Sequence, residues 1–289
     1  LLLLYILTSA INARAAFDVD LKEYTYFTHS KNLPHSYNAH ASWFIFWQYL
    51  GLIILLFACK DWLTNTIHSK KELVLNGRLT RLLFLICING CCVATLSTIQ
   101  RFYYGEHIGK LLFLIEPAIN NNNLTQFGPF AYRSNAASYI NLIWPIALGL
   151  FVQQSQINLE QKNKRLGNGP ELFLAPCIIL TTSASIISSS RGGALVLILL
   201  FVILFITLIF TKTRSLILRL STSIVIVCGL IVSYFLGWES LKERLENIIN
   251  GLDDRLLLAK KTIELIKDYP SFGSGPESFE SILQFELDD

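Results

Sequence analysis

The sequence predicts an all-α fold: a polytopic transmembrane helical bundle with an external segment that contains an amphipathic helix. Of the 289 residues, 52% are hydrophobic and only 16% are charged, which differs greatly from the composition of a soluble domain of this size. The mean hydropathy is +0.46. Several apolar runs approach the roughly 20 residues that a helix needs to cross the hydrocarbon core of a bilayer. The polar residues cluster between these runs.

Seven apolar runs are predicted to cross the membrane. They cover approximately residues 1–11, 42–59, 82–100, 136–153, 171–188, 193–210 and 217–236. Because the chain contains no methionine, we expect it to be an internal piece of a longer chain whose first span is truncated. A signal peptide is the alternative for its opening residues. We expect residues 1–236 to form the transmembrane bundle and residues 237–289 to begin an external, periplasmic loop domain with an amphipathic helix.

Lysine and arginine residues predict which joints between the runs face the cytoplasm. The joints after residues 59, 153 and 210 contain the larger number of basic residues: Lys60, Lys70, Lys71, Arg78, Arg81, Lys162, Lys164, Arg165, Lys212, Arg214 and Arg219. The opposite joints have fewer despite their greater total length: Arg14, Lys22, Lys31, Arg101, Lys110, Arg133 and Arg191. We therefore expect the first set of joints to lie in the cytoplasm. The second set of joints and the segment after residue 236 are expected to lie outside.

Charge and cysteine content exclude two further classes of site. The net charge of +3 is small and the basic residues are spread along the chain, so the composition gives no footprint for nucleic acid. The six cysteines lie in or at the ends of apolar runs and lack the spacing of a zinc site or a disulfide framework. We expect them to be small, buried apolar residues.

Arg191 is the first candidate site residue, because the stretch SSSRGGALVLIL places a permanent charge between two apolar runs. The predicted topology puts it in a tight external hairpin, where the serines and Gly192-Gly193 allow close backbone approach and a change of direction. An arginine at a helix end also reaches the lipid headgroups at little cost. That structural interpretation stays open for Arg191 taken alone.

Two further external arginines point to a common ligand. Arg133 follows a Gly128-Pro129 turn just before a span, and Arg255 opens a predicted amphipathic helix that stops at Asp268-Tyr269-Pro270. A pair with Asp253 is the alternative for Arg255. Guanidinium groups bind phosphate bidentately and keep their charge after partial desolvation. The three arginines therefore predict a site for an anionic, phosphate-bearing ligand, with a lipid-linked donor as its natural source.

The order of these segments resembles the O-antigen ligase and polymerase superfamily of bacterial membrane glycosyltransferases. The resemblance covers about residues 125–280, in the segments GPFAYRSNAASYINLIWPIALGL, SSSRGGALVLILL and DDRLLLAKKTIELIKDYPSFGSGPESF. Its most specific feature is SRGG at the mouth of a span, followed by an arginine, a helix and D-x-P-x-x-G-x-G-P-x-x-F in one external segment.

The resemblance implies transfer of a glycan from an undecaprenyl pyrophosphate carrier to a hydroxyl of a glycan, lipid A core or protein. The reaction is implied on the periplasmic side of the bacterial inner membrane, without a cofactor, metal or nucleotide sugar. Arg133 and Arg191 are implied to bind the donor pyrophosphate, with Arg255 as a third member. The general base is implied to be a histidine in an H-[NSQ]-x-x-L motif beyond Asp289. Four histidines compared with that motif do not match it: His29, His35, His40 and His107.

Other interpretations of these residues remain open. The pair Asp18-Val19-Asp20 on the outer side is typical of a divalent cation site in metal-dependent transferases. A transporter or flippase for an anionic or lipid-linked solute is a second alternative, although the middle of every predicted span lacks charged residues. A scaffold protein without chemistry predicts that the three arginines lie apart. Gly273-Ser274-Gly275-Pro276 follows a helix rather than a strand, which favours a tight turn over a nucleotide-binding loop.

Overall fold

The computed structural model describes residues 1–18, 23–64, 77–105, 110–116, 125–160, 171–210, 216–246, 252–279 and 281–283. The helices are α1 (Leu2–Ile11), α2 (Ala39–Thr64), α3 (Gly77–Tyr104), α4 (Arg133–Glu160), α5 (Glu171–Ile187), α6 (Arg191–Phe210), α7 (Leu216–Glu246) and α8 (Leu252–Asp268). The strands are β1 (Ala15–Asp18) and β2 (Glu23–Tyr26). His107 lies outside the described residues.

The predicted all-α, polytopic fold class is confirmed. Each of the seven predicted apolar runs lies in one of the helices α1 to α7. Within the described ranges, four helices are long and apolar enough to cross a membrane: Ala39–Thr64, Gly77–Tyr104, Arg133–Asn158 and Leu220–Glu239. Helices α1, α5 and α6 contain shorter apolar segments. The predicted amphipathic helix is α8, and it ends at Asp268 as expected.

The outer faces of several helices are apolar, as a lipid environment requires. Phe57 on α2 is 60% exposed, Leu199 on α6 is 58% exposed and Phe235 on α7 is 77% exposed. Many neighbouring large side chains are exposed in the same way, far more than a water-soluble protein tolerates. Together with the apolar helices, this indicates a multi-pass membrane protein.

The chain divides into two compact units. One unit contains Leu1–Lys70 with Ile249–Asp289, and the other contains Lys71–Ile248. The predicted division after residue 236 stays a prediction, and α7 continues to Glu246.

In the first unit, α1 packs against α2, and β1 and β2 form an antiparallel hairpin in the joint between these helices. The composition of that joint gave no expectation of strands. The turn at Gly273 to Pro276 confirms the predicted tight turn, since Gly273 and Gly275 both have positive φ. A Cβ added at Gly275 would lie 2.4 Å from the carbonyl oxygen of His35. Only a residue without a side chain fits that approach.

In the second unit, α5 is the central helix, because it packs against α3, α4, α6 and α7. Its buried core residues include Leu174 and Ile178, which share one cluster with Trp144 of α4. Close approach to α7 depends on small residues, as is common between membrane helices. A Cβ added at Gly229 would lie 2.4 Å from Oγ1 of Thr182.

The expectation of six buried cysteines is only partly correct. Cys87 and Cys177 are completely buried in the core between α3 and α5. Cys92 is exposed, and the other three are partly exposed: Cys59, Cys91 and Cys228. The prediction is wrong for Cys92 because hydropathy places a residue in a helix without fixing which face of that helix is turned to the lipid.

Candidate functional site

The turn between α5 and α6 carries Arg191. Ser188, Ser189 and Ser190 are buried, and Ser189 adopts a left-handed conformation with φ of 56°. Ser190 caps α6, because its Oγ accepts a 3.2 Å hydrogen bond from the backbone N–H of Gly193. Arg191 is therefore the first residue of α6, and its side chain is partly exposed.

The sequence predicted that the serines and the two glycines together allow the change of direction, and the structure places the turn at the serines. Gly192 and Gly193 lie within the first turn of α6, and the backbone reverses at Ser189. The other expected role of the glycines, close backbone approach, is found at Gly193. A Cβ there would lie 2.3 Å from Cβ of Ala137 on α4, whereas Gly192 has open space around it.

Arg133 begins α4 and is preceded by a tight turn. Its backbone N–H donates a 2.8 Å hydrogen bond to the carbonyl of Thr125. Between these two residues, Phe127 and Phe130 exchange backbone hydrogen bonds of 3.0 and 3.1 Å. Gly128 has φ of +59°, and a Cβ there would lie 1.9 Å from the hydroxyl oxygen of Ser97 on α3. The predicted Gly128-Pro129 turn is confirmed, and it packs against the end of α3.

The first turn of α6 packs against the second and third turns of α4. Ala137 is one helical turn after Arg133, and it contacts Gly193, two residues after Arg191. One helical turn further along α4, the side-chain amide of Asn141 donates a 2.8 Å hydrogen bond to the carbonyl of Gly193. Both arginines therefore lie at the same end of one packed pair of helices.

The electrostatic environment at this end favours an anion. The N-terminus of a helix carries partial positive charge, which stabilises a nearby anion. Arg133 and Arg191 add full positive charge at two such termini, and neither α4 nor α6 has an acidic residue in its first turn. Two guanidinium groups at adjacent helix termini suit a ligand with more than one phosphate.

Arg101 is a further arginine at this end. From the sequence it was counted only among the basic residues that predict which joints lie outside. It lies in the last turn of α3. Its Nη2 donates a 3.1 Å hydrogen bond to the backbone carbonyl of Ser188, and its Cζ lies 5.8 Å from the centroid of the Phe127 ring. The available signal was its position, because it ends an apolar run on the same predicted side as Arg133 and Arg191.

Comparison with known protein families gives a match over the second half of the chain. Residues 176–288 match the family described as O-Antigen ligase. This match confirms the predicted resemblance to the O-antigen ligase and polymerase superfamily, and it supports a glycosyltransferase-like role in the processing of O-antigen or a related polysaccharide. No curated protein and no solved structure matches the chain.

Two of the three predicted arginines lie within the O-antigen ligase match, and one lies before it. Arg191 and Arg255 fall inside residues 176–288, whereas Arg133 precedes them. Arg255 lies in α8 of the first unit, and the position of its side chain falls outside the described residues. Its role at the phosphate site stays a prediction.

An aromatic and basic cluster lies beside the end of α8 within the first unit, and Tyr269 is its member within the O-antigen ligase match. The hydroxyl of Tyr269 donates a 2.7 Å hydrogen bond to the hydroxyl of Tyr37, and Arg14 donates to the same Tyr37 oxygen. The rings of His35 and His29 contact each other in a tilted arrangement, with a centroid distance of 5.1 Å. Burial is the largest cause of the lowered pKa of His35, which favours its neutral form at neutral pH.

The alternative metal site receives no test from the structure. Among the residues that the structure describes, no group of three or more His, Cys, Asp or Glu side chains is arranged to hold a metal ion. Asp18 ends β1, but Asp20 lies outside the described ranges. The Asp18-Val19-Asp20 interpretation therefore stays open as an alternative.

Proposed function

We propose that this protein transfers a glycan from an undecaprenyl pyrophosphate carrier to an acceptor hydroxyl, on the periplasmic face of the bacterial inner membrane. Arg133 and Arg191 bind the donor diphosphate in this proposal. The observation that carries it is the contact between Ala137 and Gly193, since it brings together the helix termini at which both arginines lie. The O-antigen ligase match over residues 176–288 supports the class of reaction.

The proposed chemistry is displacement at the anomeric carbon of the first sugar. The acceptor oxygen forms a bond to this carbon while the bond to the phosphate oxygen breaks, and undecaprenyl diphosphate leaves. Negative charge accumulates on the leaving diphosphate, so guanidinium groups fixed around it lower the barrier without a metal ion. The acceptor hydroxyl loses its proton to a general base, which we assign to a histidine beyond Asp289.

Arg255 is proposed as a third ligand of the diphosphate. It lies near the start of α8, before the turn at Gly273 to Pro276, and within the residues that match the O-antigen ligase family. Substitution by alanine is expected to lower transfer. Unchanged transfer by Arg255→Ala would remove this residue from the proposed site and leave the roles of Arg133 and Arg191 intact.

The experiment uses the full-length protein in proteoliposomes with an undecaprenyl-pyrophosphate-linked glycan and measures formation of the glycosylated acceptor. Arg191→Ala and Arg191→Lys are both expected to lower the rate by about 10²-fold or more, because an ammonium group does not reproduce bidentate phosphate binding. Arg133→Ala is expected to behave in the same way. Arg81→Ala, at the opposite end of α3, is the matched control for loss of an arginine.

The outcomes separate the proposal from its alternatives. A fully active Arg191→Lys variant would rule out bidentate phosphate binding at this residue. Transfer by Arg133→Ala and Arg191→Ala at the parent rate would overturn the proposed site. Movement of the lipid-linked glycan across the bilayer without a new glycosidic bond would identify a flippase instead. Membrane insertion is measured for each variant, and it is expected to match the parent.

A further inference from the structure

The side chain of Arg101 connects the end of α3 to the turn that precedes Arg191. Its Nη2 donates to the carbonyl of Ser188 over 3.1 Å, directly after the last residue of α5. The C-terminus of a helix carries partial negative charge, so a guanidinium is stabilised there. The hydrogen bond also involves a charged donor, and such bonds are stronger than those between neutral groups.

The turn that receives this hydrogen bond contains a strained residue. Ser189 has φ of 56°, in the left-handed region that residues with a Cβ rarely adopt. Such conformations persist only where the surroundings hold them. Ser190 caps α6 immediately afterwards, so any rearrangement of the turn changes where α6 begins and where Arg191 points.

The other contacts of Arg101 favour a supporting role over direct contact with the ligand. One guanidinium nitrogen is committed to Ser188, and the guanidinium lies over the ring of Phe127, which is 1% exposed. Phe127 belongs to the turn before Arg133. Arg101 therefore contacts both turns that precede the two proposed phosphate ligands.

We propose that Arg101 is a positioning residue, which holds the Ser188–Ser190 turn so that the guanidinium of Arg191 meets the donor diphosphate. This inference rests on the proposed function, because it assigns Arg191 to the diphosphate. It adds a residue that lies outside the family match. Arg101 acts through Arg191, and the two side chains are therefore coupled.

A double-mutant cycle tests this coupling, with undecaprenyl diphosphate as the probe and full-length protein in nanodiscs. Arg101→Met is expected to weaken binding by about tenfold, which equals about 1.4 kcal/mol. In the Arg191→Ala background, the same substitution is expected to change binding by less than about twofold, because interacting residues are not additive. Equal losses in both backgrounds would overturn the proposal, since they indicate two independent ligands or a general loss of folding.

A conservative variant separates positioning from phosphate binding. A lysine at position 101 still donates one hydrogen bond to the carbonyl of Ser188, so Arg101→Lys is expected to bind within about threefold of the parent. Arg191→Lys is expected to lose binding, because two parallel hydrogen bonds are needed there. Equal losses for the two lysine variants would overturn the assignment of Arg101 as a positioning residue. Arg81→Met, at the other end of α3, is the matched control.

A second measurement does not depend on the proposed function. Gly192 has open space around it, so Gly192→Cys provides a thiol beside Arg191 for a membrane-impermeant maleimide. The same chain without this substitution gives the background labelling of the native cysteines. Arg101→Met is expected to change the labelling rate at position 192 by about threefold or more, whereas Arg81→Met is expected to leave it unchanged.

The binding and labelling measurements together distinguish failure of the proposed function from failure of the positioning role of Arg101. If the Arg191→Ala variant binds undecaprenyl diphosphate as tightly as the parent, the proposed function is wrong. The labelling rate then still tests whether Arg101 positions the turn. An altered labelling rate in Arg101→Met supports the positioning role even then. A labelling rate equal to that of the parent overturns it, whether or not Arg191 binds the diphosphate.

Discussion

The side-chain amide of Asn141 on α4 donates a 2.8 Å hydrogen bond to the backbone carbonyl of Gly193 on α6. The oxygen of the same amide accepts a 2.8 Å hydrogen bond from the hydroxyl of Ser185 on α5. Asn141 is only 3% exposed. One buried amide thus joins three helices directly below the turn that carries Arg191.

Loss of this amide is expected to destabilise the helix bundle. Asn141→Ala leaves the hydroxyl of Ser185 without its acceptor, and we expect the free energy of unfolding to fall by about 1–2 kcal/mol. Thermal unfolding in detergent micelles measures the effect. Leu142→Ala is the matched control, because the adjacent side chain is 68% exposed. Equal midpoints for the two variants would contradict a structural role for the amide.

The two glycines after Arg191 are expected to respond differently to a methyl group. In Gly193→Ala the new Cβ lies 2.3 Å from Ala137, so α4 and α6 must separate, at a cost of about 1–3 kcal/mol. Transfer is expected to fall with stability because both proposed phosphate ligands lie at this contact. Gly192→Ala meets open space and is expected to keep both properties. The prediction fails if the two variants cannot be distinguished by unfolding and transfer rate.

His35 is expected to make the stability of the protein depend on pH. Burial lowers its pKa in the folded state, and this effect exceeds that of the hydrogen bond with the backbone of Leu33, which acts in the opposite direction. The unfolded chain, with a pKa near 6.5, therefore binds the proton more readily than the folded chain. The stabilisation is complete above pH 6.5 and is lost as the pH falls from there through the lowered folded-state pKa.

Replacement of His35 tests this pH dependence. His35→Gln removes the titrating group. As the pH falls from 7.5 into the acidic range, the midpoint of thermal unfolding is expected to fall less in this variant than in the parent. The measurement is thermal unfolding in micelles at several pH values. His40→Gln at the exposed start of α2 is the control. An unchanged pH profile in His35→Gln would assign the acid sensitivity to other groups.

Transfer is expected to continue in the presence of a chelator. In the proposed mechanism arginines, rather than a divalent cation, hold the charge of the leaving diphosphate. The measurement is the transfer rate of the full-length protein with and without excess EDTA. Loss of activity that Mg²⁺ or Mn²⁺ restores would instead favour a cation site that includes Asp18 and Asp20.

The sequence predicted the helices well because hydropathy over a run of residues is a local property. A membrane-spanning segment must satisfy its backbone hydrogen bonds internally, so a long apolar run has little choice but to be helical. A second local signal predicted the end of α8 at Asp268. The proline two residues later cannot continue a helix. The hairpin of β1 and β2 was not predicted, because short strands in a polar joint carry no comparable signal.

The candidate site was only partly predictable. Charge and predicted topology selected Arg133 and Arg191, because an arginine beside an apolar run is rare enough to be noticed. The same rule overlooked Arg101, whose importance lies in its contact with the carbonyl of Ser188. The serines and glycines around Arg191 predicted a change of direction, but only the structure shows that Ser189 is the residue with the left-handed conformation.

The sequence by itself determined that this is a helical, multi-pass membrane protein with arginines at the ends of its apolar runs, and that residues 176–288 are similar to the O-antigen ligase family. Only the tertiary structure decided that Ala137 contacts Gly193 and that Arg101 donates a hydrogen bond to Ser188 in the turn before Arg191. The physical reason is that hydropathy fixes where a helix runs, whereas the rotation of each helix about its axis depends on packing against its neighbours.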